Sequence, residues 1–325
     1  MIGEDDFVAA RHGDWDELTR LLDRKKALHK LPPADISRAA ALYRALCSDL
    51  MRAEAAHYGR ELGTFLDALA ARAHNALYAA PPYHWQAALL LVTRDFPRTL
   101  RRRARFLLAA ALLFLVPLGL GLAGGARSPQ FAARVLSDKM LSEMESSYSK
   151  GFNDGRDSSA DTNMAGFYVW NNIGIAFRCF ATGILAGLGS IFFLLYNGLT
   201  IGTVLGAMIR AGHAGNILTF CCGHSPFELT AIVISGAAGL QMGFALVDTN
   251  GRTRLGSLRA QAGEVAQLVL GAALMLAIAA LIEGYWSPSS VAPPIKWTAA
   301  AINALAVTAY FVLMGRPPRS RREPA

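Results

Sequence analysis

Between residues 166 and 247 the chain carries no Lys, no Asp and a single Glu, yet it sets Asn171, Asn172, Arg178, Asn197, His224 and Glu228 among apolar and small residues. A soluble core does not need so long an apolar run, and a simple anchor has no use for embedded polar groups. The stretch therefore reads as a folded module inside a membrane. Composition points the same way, with 53% hydrophobic and only 17% charged residues, the balance of a polytopic membrane protein.

The charges are unevenly placed. The net charge of +8 comes largely from arginines beside apolar segments, where the positive-inside rule accounts for them. Binding to nucleic acid is not expected, because that would place the charge on a soluble face. Cys47, Cys179, Cys221 and Cys222 have neither zinc-ribbon spacing nor the pattern of a disulfide framework. The N-terminus is acidic and polar, so insertion is expected to depend on the first internal apolar segment rather than on a cleaved signal.

Residues 5–78 repeat apolar side chains at three- and four-residue steps: Phe7, Trp15, Leu18, Leu21; then Ile36, Ala39, Tyr43, Leu46, Leu50; then Leu62, Phe65, Leu66, Leu69. Three amphipathic helices are expected, with Asp5 or Asp6 capping the first and Pro32 and Pro33 breaking the chain before the second. His12, His29, His57 and His74 share no ligand spacing. After a stiff break at 79–82 comes a collar of Arg94, Arg98, Arg101, Arg102, Arg103 and Arg105, followed by an apolar segment at 106–122 long enough to cross a bilayer. The arginines place its first end in the cytoplasm.

Residues 127–165 are polar and fall outside by alternation. Residues 131–148 suit one amphipathic helix on the outer membrane surface, and NDGRDSSADTN suits a mobile turn. A second crossing is expected over 168–196, with a turn at Asn197 and Gly198. The third, from Leu199 towards Arg210, is expected to be interrupted at Gly212, His213 and Gly215 and so to be irregular at membrane depth. Pro226 opens a fourth crossing to Val247, and 265–282 and 297–314 supply two more.

The fold expected is all-α: a polytopic helical membrane protein with about six transmembrane helices, both termini cytoplasmic, preceded by a small cytoplasmic helical domain. Its divisions are 1–80, the cytoplasmic domain; 81–105, a basic juxtamembrane segment; 106–125, the first transmembrane helix; 126–165, an extracytoplasmic segment; 166–315, a five-crossing membrane domain with its core at 166–247; and 316–325, a cytoplasmic basic tail. Gly183 with Gly187, Gly198 with Gly202 and Gly206, and Gly239 with Gly243 recur at four-residue steps. Lipid offers no hydrophobic drive between helices, so such spacing marks close helix contacts.

Asn171, Asn172, Arg178, His224 and Glu228 form the candidate intramembrane polar cluster. Asn171, Gly174 and Arg178 share one helix face, and His224 lies one turn before Glu228. Two readings fit. In one, Arg178 pairs with Glu228 and the asparagines complete a network. In the other, Arg178 snorkels and Glu228 caps its own helix. Cys221, Cys222, His224 and Glu228 are zinc-type donors, but no second His-rich helix completes a set, and His-x-x-x-Glu lacks the order of the zinc-protease helix. No metal, cofactor or catalytic residue is expected; a phosphate loop, dinucleotide fingerprint and nucleophile elbow are all missing.

Four pieces of the chain, NNIGIAF (171–177), ATGILAGLGS (181–190), YNGLTIG (196–202) and GHSPFELTAIVISGAAGLQMG (223–243), resemble the stage II sporulation protein M family. Ser225 stands where the family usually has Gly after the His. RAHNALY (72–78) and FPRTLRRRARF (96–106) are similar to its longer, non-sporulation branch. The resemblance implies a multipass bacterial inner-membrane protein. In endospore formers the family member works in a membrane-anchored complex that remodels peptidoglycan, the catalysis belonging to its partners. The function expected is a non-enzymatic scaffold or accessory subunit of a cell-envelope complex, in contact with the lipid bilayer, other membrane or envelope proteins and further copies of itself. The alternative is a transporter or lipid-handling protein using the polar cluster.

Overall fold

The computed structural model describes residues 3–24, 31–78, 85–151 and 158–316, and for 158–165 the backbone alone. The expected break at 79–82, His29 and the tail beyond Arg316 lie outside them. Among the described residues all regular structure is helical, and the chain divides into two compact units, 1–84 and 85–325.

In the first unit, α1 (Glu4–Leu22), α2 (Pro33–Ala55) and α3 (Arg60–Tyr78) enclose one core. Phe7, Trp15, Leu18 and Leu21 of α1 meet Ala39, Leu42 and Leu46 of α2 and Leu66, Leu69 and Ala73 of α3, the stripes expected from their spacing. Asp5 and Asp6 do not cap α1. Gly3 holds the N-cap position, and the two aspartates join Glu4 in the first turn, where the helix dipole favours carboxylates.

One polar group enters this core. Asp49 is 1% exposed and accepts hydrogen bonds from Trp15 Nε1 at 3.0 Å and Arg11 Nε at 2.9 Å. The bond to Asp49 raises the Arg11 pKa above its ordinary value. Asp49→Ala leaves the buried Trp15 indole N–H without its acceptor and Arg11 with Asp14 alone, a loss of about 1–3 kcal/mol. Amide hydrogen exchange of α1 and α2 in the full-length chain is expected to quicken roughly 5- to 150-fold. Unchanged exchange would show that Asp49 does not tie the two helices together.

The second unit opens with α4 (Trp85–Leu90), a π-helical turn (Leu91–Asp95) and α5 (Phe96–Arg102). It continues through α6 (Ala104–Arg127), α7 (Pro129–Val135), α8 (Asp138–Ser149), α9 (Ser158–Ala181) and α10 (Leu188–Arg210). The short α11 (Ala214–Cys221), α12 (Ser225–Val247), α13 (Arg254–Leu281), a second π-helical turn (Ile282–Trp286) and α14 (Pro293–Leu313) complete it. Among the described residues, five segments are long and apolar enough to cross a membrane: α6, α10, α12, α13 with its π-helical turn, and α14. Helix α9, the remaining segment expected to cross, lies against α10, α12 and α13.

Glycine sets the closest approaches. A Cβ added at Gly198, Gly202 or Gly206 would overlap the carbonyl oxygens of Phe114, Leu118 and Leu122 respectively. The contacts advance in the same order along both chains, so α6 and α10 run parallel with their backbones touching. Gly183, in the 3₁₀ turn after α9, faces the Gly239 backbone, Gly187, at the N-cap of α10, faces Gly243, and a Cβ at Gly239 would meet the Cys179 and Phe180 carbonyls at the end of α9, so α12 packs closely against the end of α9 and the turn that follows it. These contacts have the form expected of small residues in lipid, where van der Waals fit replaces the hydrophobic drive.

Several expectations about the path are corrected. The turn is not at Asn197 and Gly198, which lie inside α10; Asn197 donates to the Phe193 carbonyl at 2.7 Å and Gly198 is consumed by the α6 contact. The chain instead reverses at 185–187, after a 3₁₀ turn (Thr182–Ile184), with Ala186 at φ +52° and Gly187 at φ +87°. The left-handed region is nearly free for glycine, which is what Gly187 supplies. Consequently α10 is one continuous span rather than a broken one, and the interruption at 211–213 falls after it ends.

The single amphipathic helix expected over 131–148 is two, separated at Leu136 and Ser137. Ser128 caps α7 by accepting from Phe131 N, and Ser137 caps α8 by accepting from Met140 N, each at 3.2 Å. Leu141, Met144 and Tyr148 pack with Met208 and Ile217, so α8 is held by α10 and α11. Of the turn expected at 153–163, the part from Ser158 is helix; residues 152–157 lie outside the described ones.

The arginine collar is a clamp as well as a topology signal. Arg101 donates to the carbonyls of Phe311 at 2.5 Å and Met314 at 2.7 Å, and Arg98 donates to Gly315. These satisfy carbonyls that the end of α14 leaves open. Arg102 and Arg103 pair with Glu264 of α13 at 2.8 and 2.5 Å. Phe96 sits against Gly271 and edge-on to Phe311, binding α5 to both helices.

Candidate functional site

At the end of the bundle away from the arginine collar, three elements converge. Pro226 occupies the first turn of α12 and has no N–H to satisfy there, so the chain enters this helix directly after His224. The four-residue step to Glu228 stacks both side chains on one face, with His224 Nε2 and Glu228 Oε2 3.6 Å apart. Helix α9 contributes Asn172. The π-helical turn after α13 contributes Glu283, and Ser287 follows it, its N–H bonding to the Ile282 carbonyl five residues back at 2.8 Å.

These groups are buried and engage one another. Asn172, His224, Glu283 and Ser287 are 3%, 4%, 9% and 1% exposed; Glu228 is half-buried. Asn172 Nδ2 donates to Glu283 Oε2 at 3.1 Å, and Asn171 Nδ2 donates to Asn172 Oδ1 at 3.2 Å. His224 Nδ1 lies 3.1 Å from Ser287 Oγ. Lys296 of α14, also buried, donates to the Ser287 and Ser289 carbonyls at 2.8 and 2.6 Å. Asn303 Nδ2 donates to Gly223 O at 3.0 Å, holding the turn before His224 from the α14 side. Ser225 donates to the Cys221 carbonyl at 2.7 Å.

Of the five residues expected to cluster, Asn172, His224 and Glu228 come together, and Asn171 supports them through Asn172. Arg178 does not join them. It is exposed, and the side chain nearest the Glu228 carboxylate from the cluster is the His224 imidazole at 3.6 Å. The reason is angular: Asn171, Gly174 and Arg178 do share a face, but Asn172 lies about 100° round the helix and carries the inward direction. Glu283, Ser287 and Lys296 were missed. Their signal was three polar residues closing an apolar run, the common appearance of a loop.

Ligand atoms of His224, Glu228 and Glu283 all lie within 4.8 Å of one another, a spacing open to a metal ion. The other chemistry available to the group is mutual hydrogen bonding, which joins α9, α12, the end of α13 and α14 at one point.

Comparison with known proteins adds the family. A family model described as Stage II sporulation protein M matches residues 106–288, more than half of the chain and everything from α6 to the second π-helical turn. A domain of unknown function (DUF8413) matches residues 5–79, the three-helix unit. No curated protein and no solved structure matches the chain. With its apolar spans and this match, the chain is a membrane protein that belongs to the stage II sporulation protein M family.

Proposed function

We propose that this chain is a non-enzymatic scaffold or accessory subunit of a cell-envelope complex in a bacterial inner membrane, with both termini cytoplasmic and with the three-helix unit and the α7–α8 segment as docking surfaces. The supporting observation is how the buried polar groups are used. Asn172, His224, Glu283, Ser287 and Lys296 each have a partner within the bundle, as befits groups that join helices. The arginine collar supports the orientation, since basic residues beside a span favour the cytoplasmic side.

Capture of the full-length protein from mildly crosslinked membranes is expected to recover specific envelope proteins, with peptidoglycan-remodelling enzymes among them. Exchange of the three-helix unit for an unrelated domain is expected to remove part of that set. Recovery of no specific partner, together with substrate-dependent flux in reconstituted vesicles, would replace the scaffold by a transporter.

A further inference from the structure

We propose that His224, Glu228 and Glu283 are the ligands of one divalent cation of borderline character, zinc or a chemically similar ion, which locks α12 to the end of α13. The first ground is donor type. One imidazole and two carboxylates form a mixed nitrogen and oxygen set, which suits zinc and its neighbours better than magnesium or calcium, whose sites are built from oxygen.

The second ground is spacing. His224 Nε2 and Glu228 Oε2 are 3.6 Å apart, longer than a hydrogen bond. Two ligands of a tetrahedral ion with bonds of about 2.0–2.2 Å are about 3.3–3.6 Å apart. All three donors lie within 4.8 Å of one another, so closure on an ion needs side-chain adjustments on the order of 1 Å.

The third ground is the surrounding shell. A metal-bound histidine keeps its other ring nitrogen in a hydrogen bond, and its carboxylate neighbours are themselves held. His224 Nδ1 faces Ser287 Oγ at 3.1 Å, which leaves Nε2 for the ion, and Asn172 Nδ2 holds Glu283 at 3.1 Å. Ser287 is in turn fixed by Lys296 through its carbonyl.

The fourth ground is charge. As ligands, two carboxylates and a neutral imidazole bring a charge of −2, which a divalent ion cancels at the end of a bundle of membrane-spanning helices. The Lys296 amine in the same region is given to two carbonyl oxygens.

The test uses full-length protein in mild detergent, purified without a histidine tag. Elemental analysis is expected to find about one zinc-type ion per chain. Chelation is expected to lower the melting temperature by about 5 °C or more, and zinc to restore it where magnesium and calcium do not. Ser287→Ala, which removes a supporting group and no ligand, is expected to weaken zinc binding about 10-fold or more. His224→Gln and Glu283→Gln are expected to abolish it; if these variants fail to fold, the chelation and add-back result on the unaltered protein decides alone. Metal below about a tenth of an equivalent, with no melting shift on adding zinc, overturns the site. Restoration by magnesium or calcium alone overturns the assignment to a borderline ion.

Discussion

Gly202→Val is expected to cost about 3 kcal/mol or more, and to leave little monodisperse protein after extraction in mild detergent. A side chain there has no room, because its Cβ would overlap the Leu118 carbonyl oxygen. The obstacle is backbone, so no rotamer change relieves it and α6 and α10 must separate. Separation also breaks the neighbouring contacts of Gly198 and Gly206 with Phe114 and Leu122, and lipid supplies no hydrophobic compensation for an opened seam. Gly119→Val is the control. Gly119 is on α6 as well, but nothing lies within 4 Å of an added Cβ, and its melting temperature is expected within about 2 °C of the unaltered protein. Equal melting of the two variants would remove the glycine seam as an organising element.

The seam was legible because close approach of two backbones demands the residue type that is visible in the sequence. The same property misled at the turn. Asn-Gly is an ordinary turn signal, yet Asn197 is satisfied by its own helix and Gly198 by α6. The true reversal at Gly187 lay within ATGILAGLGS, where the glycine spacing already had an explanation as a helix contact. Gly187 serves both purposes, since it takes φ +87° and meets Gly243. Spacing alone does not separate these uses, because both exploit the missing side chain.

The polar cluster was half legible for a related reason. Asn172, His224 and Glu228 stood out as polar residues inside apolar runs, where each needs a partner. Glu283 and Lys296 stood at the ends of such runs, where polar residues are ordinary. What draws Glu283 inward is the π-helical turn of Ile282–Trp286, whose wider repeat departs from the 3.6-residue periodicity used to assign faces. Arg178 is the converse case: a charge in an apolar helix that the structure leaves at the surface of the bundle, as the snorkelling reading had it and the pairing with Glu228 did not.

Glu283→Leu is the second substitution expected to have a large effect, about 3 kcal/mol measured on chelator-treated protein so that hydrogen bonding alone is compared. Leucine fills a similar space but accepts nothing, so Asn172 Nδ2 loses its acceptor and an amide is left buried at 3% exposure. Glu283→Gln keeps an oxygen for Asn172 and is expected to cost about 1 kcal/mol under the same conditions. Local loosening has its own probe. Cys221 and Cys222 are half-buried beside this end of the bundle, whereas Cys47 belongs to the three-helix unit. A small thiol reagent is expected to label Cys221 and Cys222 at least 10-fold faster in Glu283→Leu, with Cys47 unchanged. A variant that melts and labels like the unaltered protein would mean that Glu283 does not join α9 to the end of α13, and that the seams formed by glycine hold this end of the bundle without it.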